Sequence, residues 1–327
     1  MPVRGFVLGK FMPPHAGHVS LCRAASALVD ELTILVCSLP GDDIAGADRA
    51  RWMQELFPAA RVRHIERDVP QQPEDSEHFW PIWTAIVKEF HPEPIDRVFA
   101  GEGYGADLAQ RVGGVFIPLG ARIAQADEDA LGGVSGTAVR ADLAAHWSWL
   151  PRPVRRDMVK TVALHGVESV GKSTLAAQLA NALGTSWVPE YGRAHCEVHG
   201  NDCTEQDLQT IAAAHQAMIE AAREWSGPVL FSDTDWLMTR AWHRMMLGRA
   251  MEGPRYPLAD LYIHLPPDLP WVDDGARIYG EDDKRAAFDA MCRDELTDHA
   301  APFVTLNGPP ENRLSQALAA LDAHGIT

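Results

Sequence analysis

The sequence predicts an α/β protein built from two doubly wound parallel-sheet domains in tandem. Three observations carry that prediction. Short apolar runs alternate with helix-period segments along the chain, the order that builds a parallel sheet with helices on its faces. Two of those runs, Arg4 to Leu8 and Thr161 to His165, break into glycine-bearing loops that lead straight into helical patterns. Between them, Ala145-His-Trp-Ser-Trp-Leu-Pro-Arg-Pro-Val-Arg-Arg156 is proline-bearing and basic in an otherwise acidic chain, so the domains are expected over 1–150 and 151–327. Its tryptophans, Trp147 and Trp149, are expected to pack between the domains. With 327 residues, each half has enough chain for its own core.

In the first half, Arg4 to Leu8 reads as a strand, Gly9 to His18 as a loop and Val19 to Val29 as a helix. Glu31 to Ser38 has the apolar run of a buried strand, Ala47 to Leu56 reads as a helix and Arg61 to Ile65 as a strand. Phe79 to Phe90 follows as a helix and Arg97 to Ala100 as a strand. Ligands of such sheets lie beyond the carboxyl ends of the strands, so Lys10, His15 and His18 stand where a phosphate would sit. The two histidines could instead be half of a metal site, but no other His, Cys or carboxylate stands at ligand spacing nearby. A second glycine-rich approach, Gly132-Gly-Val-Ser135-Gly136-Thr137-Ala138-Val139-Arg140, also opens a helix. Its hydroxyls can simply cap that helix. Free N–H groups, Ser135, Thr137 and Arg140 one turn in would together form a second phosphate cradle.

The second half carries Gly166-Val-Glu168-Ser169-Val-Gly171-Lys172-Ser173-Thr174, a complete phosphate-binding loop between a strand and the helix Thr174 to Leu183. Two glycines let the backbone curl with its N–H groups inward, the helix adds the positive end of its dipole, and Lys172 and Ser173 finish a site for a nucleoside triphosphate with Mg2+. Ser186 to Arg193 is a short strand ending in Glu190, Tyr191 and Arg193, and Thr204 to Trp225 is a long helix capped by Thr204. Pro228 to Asp235 is an apolar strand closing on Asp233 and Asp235, where a carboxylate can hold magnesium or its water. Either acid could cap the next helix, Asp235 more readily because it precedes Trp236. Leu258 to Leu265 is the next strand. The polar stretch Pro266 to Lys284 reads as a lid bearing Trp271, Asp274 and Arg277, with Arg277 placed as a transition-state clamp or in a solvated turn. Phe303 to Leu306 and Glu311 to Ala323 close the chain as strand and helix.

Composition narrows the partners. There are 45 acidic against 29 basic residues, a net charge of −16, which argues against nucleic acid or an anionic membrane bound through a broad basic face. The five cysteines are odd in number and lack C-x-x-C spacing, against a disulfide frame or a zinc ribbon. No signal-peptide pattern and no run of 18 apolar residues is present, so a reducing, cytoplasmic setting without membrane insertion is expected. Homo-oligomerisation is left open.

K-F-M-P-P-H-A-G-H together with S-G-T-A-V-R resembles the (H/T)xGH and SxTxxR signatures of the nucleotidyltransferase superfamily, whose members transfer an adenylyl group from ATP. That resemblance implies that His15 and His18 contact the ATP phosphates while Ser135, Thr137 and Arg140 hold the triphosphate. Over nearly its whole length the chain resembles, in the same domain order, the NadR-type family of bifunctional nicotinamide mononucleotide adenylyltransferases and ribosylnicotinamide kinases. The marks are the histidine motif, Arg51-Trp52, Trp80-Pro-Ile-Trp83, S-x-T-x-x-R, L-P-x-x-V before G-x-E-S-x-G-K-S-T, E-Y-G-R at Glu190 to Arg193, D-T-D, and P-W-V-x-D-G at Pro270 to Gly275.

The resemblance implies an N-terminal nucleotidyltransferase domain of Rossmann-like type and a C-terminal P-loop kinase domain. The kinase would phosphorylate nicotinamide riboside at its 5′-hydroxyl, and the first domain would adenylylate the mononucleotide to NAD, with ATP as co-substrate and Mg2+ as cofactor in a salvage route. Lys172 would meet the β- and γ-phosphates, Ser173 and Asp233 the metal, and Asp233 or Asp235, not separable here, would be the base. Glu190, Tyr191 and Arg193 would touch substrate, Trp271 would stack on the pyridinium and Asp274 would meet ribose hydroxyls. Trp83, or its neighbour Trp80, would serve the mononucleotide's pyridinium or pack in the core.

Met12, where the family often has an aromatic residue, and Gly101-Glu102-Gly103 depart from its pattern. Some members carry an N-terminal helix-turn-helix that represses transcription; this sequence opens on the first strand, so that role is expected to be absent. A phosphopantetheine adenylyltransferase fused to a dephospho-coenzyme A kinase shares the histidine motif and P-loop but does not predict Trp271 with Asp274 or E-Y-G-R. A nucleotide sensor reporting to a transporter or regulator is opposed by the intact His15, His18, Lys172 and Ser173.

Overall fold

The apolar runs of the first half line up as one parallel sheet: β1 (Arg4–Gly9), β2 (Glu31–Ser38), β3 (Arg61–Glu66), β4 (Arg97–Ala100) and β5 (Val115–Pro118), in the order β3-β2-β1-β4-β5. This computed structural model describes residues 1–119, 135–270 and 281–327. Alternation along the strands feeds two cores. Val7, Ile34 and Val36 pack with Val19, Cys22 and Met53 from the helices Ala16–Ser26 and Gly46–Leu56. Phe6, Leu35, Cys37 and Val98 point the other way, onto Phe79, Trp83, Ile86 and Leu108 of the helices Phe79–Phe90 and Tyr104–Val112. Both faces are thus covered, which is why the strands read as continuous apolar runs. The chain winds outward from β1 to β3 and then returns to β4 on the other side, so a crevice opens beyond the carboxyl ends of β1 and β4.

The second sheet has β6 (Lys160–His165), β7 (Trp187–Val188), β8 (Val229–Asp233), β9 (Leu261–His264) and β10 (Phe303–Thr305), ordered β10-β9-β6-β8-β7 and again parallel throughout. The central strand β6 lies beside β8 in a register that sets Leu164 opposite Asp233. Val162 and Leu164 pack on Leu175, Ala176 and Leu179 of the helix Lys172–Ala182, while Ala163 and Tyr262 face Ala212, Trp236 and Leu237.

The described residues divide into two compact units, Met1–Val154 and Arg155–Thr327. The basic, proline-bearing stretch between them is ordered: a turn at Trp147–Trp149, with Trp147 buried, and then the helix Arg152–Met158. Pro153 falls in the first turn of that helix, where a missing N–H costs nothing. The helix Asp282–Asp298 begins inside the stretch Pro266 to Lys284 expected to be a lid, so the last three residues of that stretch are helical. Among the described residues no helix is long and apolar enough to cross a membrane.

Candidate active sites

The loop after β1 is shaped by a buried ion pair and a left-handed residue. Arg49, fully buried on the helix Gly46–Leu56, donates to the Lys10 carbonyl at 2.9 Å and pairs with Asp42 at 2.7 Å. Burial raises the Asp42 carboxyl, but hydrogen bonds from the Leu39 N–H and Arg49 outweigh it and hold the group below the usual range. Phe11 takes φ 48° and buries its ring edge-on to His18. His15 then caps the helix Ala16–Ser26. Its Nδ1 accepts the Gly17 N–H at 3.2 Å, and His18 Nδ1 accepts the His15 N–H at 3.4 Å.

The two rings lie 3.8 Å apart. Burial lowers the His15 pKa to about 4, and burial reinforced by His15 lowers His18 to about 3. Each is then a neutral imidazole near pH 7. Since Nδ1 is an acceptor in both, the proton sits on Nε2. The pair offers N–H donors without formal charge, a lining suited to an oxyanion in a desolvated crevice.

The Ser135-Gly-Thr-Ala-Val-Arg140 segment docks on this loop. Ser135 Oγ accepts the Ala138 N–H at 3.1 Å, Arg140 Nη1 donates to the Met12 carbonyl at 2.5 Å, and Nη2 lies 3.4 Å from Thr137 Oγ1. Gly136 comes so near that a Cβ there would stand 3.1 Å from the Met12 carbonyl oxygen. Ser135, Thr137 and Arg140 are therefore gathered beside the histidine loop; Lys10 is exposed at its start. Trp83 is buried, donates its indole N–H to the Pro70 carbonyl at 2.9 Å, and borders a small cavity with Cys37, Ser38 and Ile65 at the ends of β2 and β3. The guanidinium of Arg111 covers the Trp80 ring at 4.3 Å.

In the second unit the P-loop follows β6. Gly166 takes φ 136°, and a Cβ there would meet the Leu265 carbonyl oxygen at 2.3 Å, so only glycine fits. Glu168, Ser169, Gly171, Lys172, Ser173 and Thr174 line one cavity. Lys172 is nearly buried, and its ammonium donates to the Val167 carbonyl at 2.9 Å.

The two aspartates that the sequence leaves equivalent have different surroundings. Asp235 Oδ1 accepts the Leu237 N–H at 2.9 Å and caps the helix Trp236–Leu247, while Oδ2 accepts the Tyr262 hydroxyl at 2.5 Å. Burial pushes its pKa up to about 6 against those hydrogen bonds. Asp233 is equally buried, yet its Oδ1 has no hydrogen-bond partner. Thr234 between them takes φ 74°, a rare left-handed turn for a β-branched residue, and so sends the two carboxylates different ways.

A second cavity continues from the P-loop cradle. Both are lined by Glu168, Glu190, Arg193 and Trp242, and the second adds apolar walls from Ile211, Met238 and Met246. Burial raises the Glu190 carboxyl, with Lys172 opposing and Asp233 adding to the rise. His215 closes one side; it accepts the Tyr191 N–H through Nδ1 at 3.4 Å and donates from Nε2 to Ser232 Oγ at 2.9 Å. The Tyr191 ring packs on the cluster of Cys203, Leu208 and Ile211.

The sequence reading did not single out Arg49, His215 or Trp242. A signal existed for Arg49, which shares a helical face with the apolar Trp52 and Met53. Trp271, Asp274 and Arg277, and the Gly132-Gly-Val134 part of the glycine-rich approach, lie outside the described residues.

Two parallel sheets with a phosphate-type loop after each central strand define a two-unit α/β nucleotide-binding protein. Residues 161–313 match the model of the AAA domain family. The chain is 31% identical over 327 residues to the trifunctional NAD biosynthesis/regulator protein NadR of Salmonella typhimurium strain LT2, spanning 92% of this chain and 78% of that protein. Identity to the protein of the same name from Escherichia coli K12 is 30% over 329 residues, with the same coverage. The chain belongs to the NadR family. A crystal structure of NadR in complex with NR superposes with a TM-score of 0.70 at 20% identity, covering 98% of this chain and 95% of that one. One of NadR in complex with NAD and AMP-PNP gives 0.70 at 19% identity over 100% and 97%. At these identities the two structures speak to the fold.

Proposed function

We propose that this chain is an enzyme of NAD salvage with two ATP-dependent activities. The unit from residue 151 onward phosphorylates nicotinamide riboside to the mononucleotide; residues 1–150 adenylylate the mononucleotide to NAD, releasing pyrophosphate. The observation that carries this reading is the continuity of the P-loop cradle with a half-apolar pocket through Glu168, Glu190, Arg193 and Trp242. A phosphate-binding loop that opens into such a pocket suits transfer to a small hydroxyl-bearing acceptor rather than hydrolysis alone. Family membership supports the nicotinamide identity of that acceptor.

For phosphorylation, the loop N–H groups and Lys172 hold the β- and γ-phosphates, Lys172 giving up its bond to Val167. Asp233 accepts the 5′-hydroxyl proton as the oxygen attacks the γ-phosphorus, and its unpartnered oxygen is the atom free to do so. Ser173 and Asp233 would hold magnesium, the buried Asp233 oxygen being unpaired, and the ion when bound would neutralise charge on the transferred group. Asp235, satisfied on both oxygens, supports the turn. Glu190, Tyr191 and Arg193 bound the acceptor, and Trp271, Asp274 and Arg277 complete it, the indole on the pyridinium and the guanidinium on the transferring phosphoryl group.

For adenylylation, a phosphate oxygen of the mononucleotide attacks the α-phosphorus of a second ATP. His15 and His18 donate from Nε2, and Ser135, Thr137, Arg140 and Lys10 take the triphosphate; no covalent intermediate is needed. Trp83, at the small cavity by the ends of β2 and β3, serves the pyridinium of the mononucleotide. Purified protein with ATP, magnesium and either the riboside or its mononucleotide tests the reading. Formation of mononucleotide and of NAD is expected; neither product, with dephospho-coenzyme A phosphorylated instead, would overturn it.

A further inference from the structure

Arg313 sits in the first turn of the helix Pro310–Ala323, and it is only 2% exposed. Such a place is costly for a cation. Burial strips its water, and the helix N-terminus carries the positive end of the dipole. Its three nitrogens are nonetheless all engaged: Nε with the Gly308 carbonyl at 3.3 Å, Nη2 with the carboxylate of Asp268, and Nη1 with the Val170 carbonyl of the P-loop. Asp268 is itself held, accepting the Gly308 N–H at 2.9 Å. A planar fork that reaches three partners in fixed directions is a task for arginine and not for lysine.

The bond to Val170 has a consequence for the loop. The Val170–Gly171 peptide is trans, so its C=O and the N–H of Gly171 point in opposite directions. Holding the carbonyl outward on Arg313 therefore turns the Gly171 N–H toward the side where Gly171, Lys172 and Ser173 line the phosphate cavity. We propose that Arg313 is a positioning residue for the triphosphate, fixing a P-loop N–H donor from behind without touching the nucleotide. Asp268 anchors Arg313 in turn. This inference rests on the P-loop being the ATP site of the phosphorylation reaction.

The test is steady-state kinetics of riboside phosphorylation by the full chain with Arg313→Lys, Arg313→Met and Asp268→Asn. The apparent KM for ATP should rise about tenfold or more with Met, less with Lys and least with Asn. The KM for riboside should stay within about twofold, because the acceptor pocket is not contacted. NAD formation from mononucleotide should be unchanged. A merely structural role would lower the active fraction, and so kcat, without moving the ATP KM; that outcome, or an equal rise in both KM values, overturns the assignment. Should Arg313→Met fail to fold, Asp268→Asn decides, since it leaves the guanidinium in place, and an unmoved ATP KM there counts against the proposal. A wild-type protein that makes no mononucleotide overturns the kinase reading itself, whereas an active wild type with unaffected variants overturns only the role of Arg313.

Discussion

His15 and His18 in the first unit and Lys172 in the second occupy equivalent places, in the loop after a central parallel strand or at the helix start that ends it, yet the donors they offer differ in chemistry. The histidines are neutral, their Nδ1 atoms used up by backbone N–H groups, and only their Nε2–H donors are left for a ligand. Lys172 brings an ammonium resting on the Val167 carbonyl. A neutral donor works by orientation, so the first site depends on its tautomer and on the loop that aims it. An ammonium works by charge in a low-dielectric place, so the second depends on keeping that charge and on carboxylates set around it.

The largest effects should come from removing each donor in turn. Lys172→Ala is expected to lower kcat for riboside phosphorylation on the order of a thousandfold while NAD formation from mononucleotide persists. His18→Ala should do the reverse, by on the order of a hundredfold. Product assays of the two half-reactions decide it. Loss of both activities in either variant would mean that the two loops serve one site, and the comparison would collapse.

Next in size is the contrast between Asp233 and Asp235. Asp233→Asn should cost phosphorylation on the order of a hundredfold or more, through loss of the base, and Asp235→Asn only a few-fold. The second change should also show in stability. The Asp235 carboxyl has a folded-state pKa of about 6, above its ordinary 3.8, so the folded protein binds a proton that the unfolded chain has already released between those values. Its contribution is favourable below about pH 4 and is lost as pH rises toward 6. That pKa difference corresponds to about 3 kcal/mol. Urea unfolding of the full chain at pH 4.5 and pH 7, followed in the transition of the second unit, should show about 2 kcal/mol of that loss in the wild type and not in Asp235→Asn. An Asp235→Asn protein that folds yet cannot phosphorylate would reverse the assignment of the two acids.

The P-loop is legible in the sequence because it binds with backbone, and backbone demands are local: Gly166 is required where any Cβ would strike the Leu265 carbonyl. The histidine loop is legible for a similar reason, since His15 and His18 satisfy N–H groups within three residues. What separates Asp233 from Asp235 is local only in the cap that Asp235 gives the helix at Trp236. The rest is the hydroxyl of Tyr262, 27 residues on, and a left-handed Thr234 that no propensity suggests. The partners of Arg49 and Arg313 are likewise hidden from the sequence, their carbonyls lying 39 and 143 residues away, although the helical face Arg49 shares with Trp52 and Met53 marks it as inward-facing. The strand β5 carries no such signal, because a four-residue strand exposed at both ends offers no period to detect. The acceptor pocket draws its walls from several helices, so only the folded chain assembles it.

A smaller effect concerns the choice of acceptor. Trp271→Ala should raise the riboside KM about twofold to about thirtyfold, the span that corresponds to a cation–indole contact of roughly 0.5–2 kcal/mol. The ATP KM should move less than twofold or so. Arg313 variants are expected to show the opposite split, so the two sets together divide the second site into a phosphate side and a pyridinium side. Equal shifts in both constants for Trp271→Ala would reject the stacking role.

The gentlest test leaves the sequence untouched and asks whether the first site is neutral. For a histidine buried as the neutral form, the unfolded chain binds more protons than the folded one between the lowered pKa and 6.5, so stability is retained above pH 6.5 and declines as pH falls toward 4. Imidazole 15N spectra of the full chain at pH 7 should show His15 and His18 as Nε2–H tautomers, with titration midpoints of about 4 and about 3. Adding ATP should perturb the Nε2 resonances and leave Nδ1 largely where it was, because Nδ1 is already committed to Gly17 and His15 N–H groups. A midpoint near 6.5 for either ring would mean that a charged imidazolium faces the crevice. The first site would then bind phosphate by charge, as Lys172 does, and the distinction between the two units would rest on geometry alone.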